Sequence, residues 1–306
     1  MIGICEIASY IPPARSSNYE QKEAFGIDDQ FIEGKIGVRY RAQLAPDEKT
    51  SDLCVRAYQA LKAKIDIDDS GIQALAVVTQ NPDCKIPHTS AIVHGKLGLP
   101  EECACFDISL GCSGYVHGLS ILQSFMLQNE LSRGVLITCD PYSRIINRAD
   151  KNTALLFGDA AAATYLSDAP LYCPGKFVFG TSGREYRELI CEEGALQMNG
   201  RGVFNFTVRS VPESIRKMLA LNMLDVGQVD AFVLHQGSKY IIDTITDRMA
   251  LDPAKVHFDM YDYGNTVSSS IPIILEKIIP RKSLRTIVVS GFGVGLALAS
   301  GVLRRA

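Results

Sequence analysis

Short apolar runs alternate along the chain with longer stretches in which apolar residues recur every three or four positions. In the first half, three such runs read as buried strands: residues 72–79, 104–110 and 134–138. Residues 113–128 show the helical spacing, and Gly114 and Gly118 near the start of this helix predict close packing. Strands that alternate with helices are typical of an α/β fold.

The second half repeats this order of elements. Helices are predicted over residues 211–223, 239–249 and 271–279, and strands over 229–234, 286–290 and 296–303. Pro212 is expected in the first turn of its helix, where proline is tolerated. No residue-level repeat is visible, so we infer an internal duplication from topology alone. The pattern breaks at Ser167-Asp168-Ala169-Pro170, which predicts an N-terminal half over residues 1–167 and a C-terminal half over 168–306.

Composition and charge narrow the class of protein. The chain has 306 residues, of which 47% are hydrophobic, so it can form one large or two medium domains with a substantial core. The formal net charge of −3 gives no reason to expect non-specific binding of nucleic acid. We expect no membrane span, because no apolar run is long enough. Residues 1–6 lack the basic and apolar regions of a signal peptide.

The nine cysteines are scattered and contain no CxxC pair. An odd number with irregular spacing predicts reduced thiols in a cytoplasmic protein rather than a disulfide framework. Cys103 and Cys105 alternate along a strand-like run and are expected in or near the core. We therefore expect no metal site.

Cys112 stands where the apolar run 104–110 turns, through Gly111, into a predicted helix. A thiol at this corner meets the unpaired N–H groups and the positive dipole end of the helix, which predicts a thiolate. Far downstream, His235 ends a strand and Asn265 follows Gly264. Each residue alone has an ordinary explanation, as a core thiol, a strand end or a turn residue. Together, Cys, His and Asn are the parts of a nucleophilic acyl-transfer site.

One reaction requires all of these groups. A thiolate can accept an acyl group as a thioester, and a malonyl unit that becomes a carbanion places negative charge on its own thioester oxygen. Neutral His235 and Asn265 could stabilise that charge as hydrogen-bond donors. The glycine-rich run 291–295 could supply a backbone N–H for the first oxyanion. We expect the N–H of Gly295 to serve there together with the N–H of Cys112.

The chain resembles the ketoacyl-ACP synthase III enzymes, condensing enzymes of the thiolase superfamily, over nearly its whole length. The matching segments are 36–41, Phe106-Asp107, 111–114, Phe157-Gly158-Asp159, His235-Gln236, Gly264-Asn265-Thr266 and 291–295. The resemblance implies a five-layered αβαβα fold, a homodimer and a catalytic Cys112, His235 and Asn265. It implies that acyl-CoA acylates Cys112 and that the acyl group then condenses with a malonyl thioester. No tightly bound cofactor is implied.

The resemblance also carries over contacts with CoA. Arg144 falls where the family places an arginine against the adenine, and Phe31 falls where a tryptophan often stacks on its other face. Lys35 stands near a position that is often arginine and could meet a phosphate as a point charge. Phe204 is a further expected contact. Ile86 replaces a large aromatic residue that reaches into the partner's acyl pocket, which predicts a longer pocket and acceptance of medium chains.

Two departures from the family concern the partner that delivers the malonyl group. At residues 235–238 the family commonly has the sequence His-Gln-Ala-Asn, whereas this chain has His235-Gln236-Gly237-Ser238. Shortly after this segment, Tyr240 stands where the family usually has an arginine. The basic residues that could meet an acidic acyl carrier protein are few: Lys239, Arg248, Arg201, Arg216 and Lys217. A weaker basic patch slows encounter with an acidic partner. The extender could therefore arrive on a carrier protein or on CoA.

Three functions stay open at this point. The first is decarboxylative condensation, in fatty-acid or specialised acyl biosynthesis. The second is an acyltransferase that passes the group on Cys112 to an alcohol or an amine. The third is a non-catalytic subunit of a heterodimer, although the chain retains Cys112, His235 and Asn265. Degradative thiolases use a second cysteine near the C-terminal glycine turn, and residues 290–296 contain none.

Overall fold

A computed structural model describes residues 1–306. The strands are β1 Gly3–Tyr10, β2 Arg15–Ser17, β3 Tyr40–Ala42, β4 Ala74–Val78, β5 Ala104–Ile108, β6 Arg133–Cys139, β7 Ala161–Ser167, β8 Tyr172–Pro174, β9 Val178–Thr181, β10 Leu189–Glu192, β11 Ala195–Met198, β12 Ala231–Leu234, β13 Thr286–Gly293 and β14 Ala297–Arg305. The helices are α1 Lys22–Phe25, α2 Thr50–Lys64, α3 Thr89–Leu97, α4 Gly114–Gln128, α5 Lys151–Ala154, α6 Gly200–Leu221, α7 Lys239–Met249 and α8 Ser270–Ile278. None of the helices combines the length and the apolar character that crossing a membrane requires.

Ten strands join in one mixed sheet. Its order is β12-β13-β14-β8-β1-β7-β6-β4-β5, and β9 pairs with β14. The pairs β4–β5, β4–β6 and β12–β13 are parallel, whereas β7 and β14 run antiparallel to the strands beside them. Short β8 pairs with β1 on one side and with β14 on the other, and so connects the strands of the two halves.

Three hydrophobic cores show that the elements stack in five layers. The middle core packs α4 and α8 between the two halves of the sheet, against residues such as Ala76 of β4 and Val233 of β12. Neighbouring residues of the same strands face outward: Val77 packs against α2 and α3, and Phe232 packs against α6 and α7. Because these strands bury both faces, they read as continuous apolar runs in the sequence. The predicted αβαβα fold is confirmed.

The predicted elements agree with the structure to within a few residues, except for one helix. α6 begins at Gly200 instead of residue 211, and its first turn is capped by the Asn199 side chain, which accepts a hydrogen bond from Gly202 N at 3.3 Å. Pro212 lies inside this helix, so its expected place in the first turn was wrong. Glycine and proline are poor helix formers, and their presence hid the first half of the helix from the sequence pattern.

Candidate active site

A cavity of about 630 Å³ brings together residues from both halves of the chain. Cys112, His235 and Asn265, the three residues singled out in the sequence, all line it. All three are almost fully buried, with exposed fractions of 2–4%. The cavity therefore holds a thiol, an imidazole and a carboxamide at its buried end.

The glycines of the C-terminal run allow β13 to lie directly against Cys112. A Cβ atom on Gly293 would come within 2.8 Å of the Cys112 sulfur, and one on Gly291 would come within 2.9 Å of the Cys112 carbonyl oxygen. Gly293 also has φ +153°, a backbone conformation that side chains disfavour. These positions need glycine because the backbone of β13 passes within contact distance of Cys112.

The thiol of Cys112 is protonated in the free protein. Burial raises its pKa to about 12, and the charge of Asp140 acts in the same direction. Hydrogen bonds from the Val294 and Cys112 backbones oppose this rise. The expected thiolate is therefore corrected: Cys112 does lie just before α4, but desolvation of the charged form outweighs the favourable helix terminus.

This raised pKa predicts how alkylation of Cys112 depends on pH. Below the pKa, the thiolate fraction grows about tenfold for each pH unit, so the rate of reaction with iodoacetamide should rise by about that factor per unit from pH 7 to 9. The rate is measured on the Cys112 peptide by mass spectrometry, which separates it from the other eight thiols. A rate that levels off below pH 8 would contradict the raised pKa.

The backbone N–H that points at the Cys112 sulfur belongs to Val294. A hydrogen bond from the Val294 backbone lowers the pKa of Cys112, whereas Gly295 has no comparable contact with the thiol. Val294, one residue before Gly295, therefore becomes the candidate for the second oxyanion donor. Because Val294 contacts the Cys112 sulfur through its backbone N–H, its side chain is free to pack against Gly111.

His235 follows the C-terminal end of β12 and is neutral. Burial lowers its pKa to about 3, so the ring carries no charge at neutral pH. Its Nδ1 lies 2.7 Å from the hydroxyl of Ser270, and the edge of Phe292 packs against the ring at 5.5 Å between centroids. The neighbouring Gln236 points away and bridges three backbone groups, so its role is structural.

Asn265 is anchored to the first half of the chain by its backbone. Its N–H donates to Leu156 O at 2.9 Å, and its carbonyl accepts from Gly158 N at 3.0 Å. A Cβ atom on Gly158 would collide with the carbonyl of Tyr263, so the contact requires glycine. The side-chain Oδ1 accepts a hydrogen bond from Val267 N at 2.9 Å. The NH₂ group of Asn265 is therefore the part left to donate into the cavity.

At the mouth of the cavity, two lysines flank one aromatic ring. The ammonium groups of Lys151 and Lys35 lie 4.7 Å and 5.5 Å from the centre of the Phe31 ring. Arg144 is not among the lining residues, because its guanidinium donates to the carbonyl of Glu48 instead. The structure thus brings Phe31 and Lys35 to the cavity as expected, and it places Lys151 where Arg144 was expected.

Phe204 and Tyr240 form a stacked pair on the cavity wall, with ring centres 5.2 Å apart and planes 15° apart. Tyr240 is half exposed and stands at the entrance. Ser238 accepts a hydrogen bond from Ile241 N at 3.2 Å and caps α7, which accounts for a serine at this position. The entrance is therefore more aromatic and less basic than the family resemblance implies.

Most of the candidate docking residues are already engaged within the chain. Lys239 pairs with Asp243, and Lys217 pairs with Glu213. Arg248 and Arg216 donate to backbone carbonyls. Arg201 lines the cavity and forms no ion pair, and Ile86 lies outside the cavity with 88% of its surface exposed.

Sequence reasoning missed three residues of this site: Lys151, Val294 and Ser270. Lys151 stands six residues before the Phe157-Gly158-Asp159 segment. Val294 contacts Cys112 through its backbone, and Ser270 contacts the His235 ring rather than the cavity. Their residue types give no sequence signal.

Comparison with known proteins gives consistent matches over the whole chain. A family model described as 3-oxoacyl-[acyl-carrier-protein (ACP)] synthase III matches residues 106–183, and the model for its C-terminal part matches residues 219–305. A beta-ketoacyl-[acyl-carrier-protein] synthase III of Lactobacillus helveticus is 31% identical, with 98% of each chain covered. A 3-oxoacyl-(acyl-carrier-protein) synthase III crystal structure superposes with a TM-score of 0.93 at 30% identity, covering 100% of this chain and 99% of the other. The priming beta-ketosynthase of the R1128 polyketide pathway has a TM-score of 0.90 at 27% identity, with 100% and 96% covered.

Proposed function

The chain belongs to the 3-oxoacyl-[acyl-carrier-protein] synthase III family, and on this premise we propose that it condenses an acyl primer with a malonyl thioester, releasing CO₂. The product is a 3-ketoacyl thioester for fatty-acid or polyketide biosynthesis. The observation that carries the proposal is one cavity that contains a buried thiol, a neutral imidazole and a carboxamide. Acyl transfer and carbanion formation both need such a site.

In the first half-reaction, Cys112 receives the acyl group. The sulfur attacks the carbonyl of an acyl-CoA, the carbon–sulfur bond to CoA breaks, and the proton of the thiol leaves with CoA as its thiol. The N–H groups of Val294 and Cys112 are the donors suited to the oxyanion that forms. The same two N–H groups lower the pKa of Cys112 and so favour ionisation of the buried thiol.

In the second half-reaction, the malonyl thioester loses CO₂, and the carbanion attacks the acyl group on Cys112. The released thiolate of Cys112 takes up one proton, which completes the cycle. The negative charge on the malonyl thioester oxygen is stabilised by hydrogen bonds from His235 and from the NH₂ group of Asn265. A neutral ring suits this role, because it can donate without first taking a proton from solvent.

The mouth of the cavity fits the nucleotide end of CoA. An aromatic ring can stack on adenine, and Lys35 and Lys151, both close to the Phe31 ring, supply two positive charges for phosphates. No tightly bound cofactor is part of the proposal: CoA thioesters are substrates.

Replacing Lys151 with alanine should raise KM for acetyl-CoA about fivefold and leave kcat unchanged, because one cationic contact at the mouth is worth about 1 kcal/mol. Steady-state kinetics measure both parameters. Arg144→Ala serves as the control and should change KM by less than twofold, since Arg144 does not line the cavity. A larger rise in KM for Arg144→Ala than for Lys151→Ala would indicate that Arg144 contacts the adenine.

We also propose that the chain divides into two structural halves, that two copies form a homodimer, and that the protein is located in the cytoplasm. β7 ends at Ser167 and β8 begins at Tyr172, which supports a boundary near residue 168. β5 stands at the edge of the sheet, where a strand of a second copy could pair. Nine free thiols fit a reducing compartment.

Ile86 supports the proposed preference for medium chains. Its side chain is exposed on a single copy of the chain, so it could reach a partner's acyl pocket only in the dimer. Isoleucine is smaller than an aromatic residue and leaves that pocket longer. Carrier docking is proposed through Arg201, Lys239 and Arg248, although the engagement of Lys239 and Arg248 within the chain weakens this patch.

A donor panel followed by malonyl thioester tests the function. Intact-protein mass spectrometry after incubation with acyl-CoAs from two to ten carbons should show one acyl adduct, with yields that persist beyond acetyl. Addition of malonyl-CoA or malonyl carrier protein should then release CO₂ and discharge the adduct. An adduct that moves to an alcohol or amine without CO₂ would indicate an acyltransferase. No adduct with any donor would indicate a non-catalytic subunit.

A further inference from the structure

Ser270 occupies a position from which it can control the proton on His235. Its hydroxyl lies 2.7 Å from His235 Nδ1, 3.1 Å from the carbonyl of Val267 and 3.4 Å from the N–H of Gln236. Both Ser270 and His235 are only 2% exposed, so neither exchanges these partners for water. The hydroxyl has a single hydrogen, which it can direct at Nδ1 or at Val267, but not at both.

The direction of that hydrogen determines whether Nε2 of His235 presents a hydrogen-bond donor or an acceptor to the cavity. A neutral imidazole carries one proton. If Ser270 donates to Nδ1, the proton lies on Nε2 and the ring presents a donor to the cavity. If Ser270 donates to Val267, the proton lies on Nδ1 and Nε2 presents a lone pair, which would repel the oxyanion of the malonyl thioester.

Two features of the surroundings favour donation to Nδ1, and they oppose the Val267 carbonyl, whose hydrogen bond favours a proton on the ring. The carbonyl of Val267 already accepts a hydrogen bond from the backbone N–H of Ser270, so it stays satisfied when the hydroxyl turns away. Ser270 is also the first residue of α8, a helix of nine residues. Nδ1, 2.7 Å from the hydroxyl of this first residue, therefore lies near the positive end of the helix dipole, which stabilises a lone pair and disfavours a proton.

We propose that Ser270 is a positioning residue that holds His235 as the Nε2–H tautomer, which makes the ring a hydrogen-bond donor in the condensation step. This inference rests on the proposed function. The hydrogen bonds form a directional chain, from the N–H of Gln236 to the Ser270 hydroxyl, then to Nδ1 of His235, and from Nε2–H into the cavity. Successive donors in such a chain polarise one another and strengthen the last bond.

Removing the hydroxyl should reverse the tautomer. In Ser270→Ala the hydroxyl that donates to Nδ1 is gone, whereas the Val267 carbonyl, whose hydrogen bond raises the pKa of His235, remains beside the ring as an acceptor. Condensation should then fall about 100-fold, the effect of losing one oxyanion donor. Acylation of Cys112 by acetyl-CoA should stay at the wild-type rate, because His235 does not serve that step. Ser270→Thr keeps the hydroxyl and should restore condensation.

The tautomer is read directly by nitrogen NMR of protein labelled with ¹⁵N-histidine, in which the two ring nitrogens have distinct shifts. The spectrum of His235→Gln identifies the His235 signals among the five histidines. Wild type and Ser270→Thr should show a proton on Nε2, and Ser270→Ala a proton on Nδ1. Ser269→Ala is the matched control, since this buried serine bonds to Thr138 instead and should leave the tautomer unchanged.

The outcomes separate this inference from the proposed function. A proton on Nδ1 in the wild type overturns the proposal even if Ser270→Ala does not fold. Condensation within threefold of wild type in a folded Ser270→Ala overturns it as well. If the wild type forms an acyl adduct but never releases CO₂ from malonyl thioesters, the function fails, while the NMR comparison still decides the role of Ser270.

Discussion

Replacing Cys112 with alanine is expected to eliminate the acyl-enzyme and to lower the condensation rate about 10⁶-fold, the order of effect seen when a catalytic nucleophile is removed. The loss is large because no other thiol lines the cavity. Intact-protein mass spectrometry after incubation with acetyl-CoA measures the adduct, and release of CO₂ from a malonyl thioester measures condensation.

Cys105→Ala is the informative control for this prediction. A hydrogen bond with Cys103 lowers the pKa of Cys105 to about 7, so by ionisation alone it would be the better nucleophile. It lies on β5, outside the cavity, where no oxyanion donors are arranged. Cys105→Ala should therefore form the adduct like wild type. An adduct that persists in Cys112→Ala and disappears in Cys105→Ala would show that thiolate content matters more than location.

The fold could be predicted from the sequence because burial leaves a readable pattern. β4 and β12 bury both faces and appear as unbroken apolar runs, and α7 alternates buried and exposed residues at helical spacing. The short strands β8 and β9 gave no such signal. Their pairing with β14 depends on contacts between distant segments, which local periodicity does not encode.

That Cys112, His235 and Asn265 meet in one cavity could also be predicted, because each member of this trio stands at the end of an element or in a recognisable turn. The contacts around the trio could not. Val294 and Lys151 lie in or next to irregular segments, where a shift of a few residues changes which group reaches the cavity. The pKa of Cys112 is raised because both halves of the chain bury the thiol. The local sequence shows only a helix that begins beside Cys112, which on its own indicates a lowered pKa. These properties depend on tertiary structure.

Replacing Asn265 or His235 with alanine should separate the two half-reactions. Each variant should still form the acyl-enzyme on Cys112, because the groups placed at the first oxyanion are the N–H groups of Val294 and Cys112. Condensation should fall about 10²- to 10³-fold in each, since each removes one donor to the malonyl thioester oxygen. Rapid-quench measurement of the acyl adduct and of CO₂ release follows the two steps independently.

Thr266→Val is a matched control for Asn265→Ala, because Thr266 is the buried neighbour of Asn265 and its hydroxyl has no hydrogen-bond partner. It should leave both half-reactions at wild-type rates. A double variant without His235 and Asn265 should lose more than either single variant, but less than the product of the two losses, if both donors bind one oxygen. Loss of the acyl adduct in the single variants would instead place His235 and Asn265 in the first step and would contradict the division of roles proposed here.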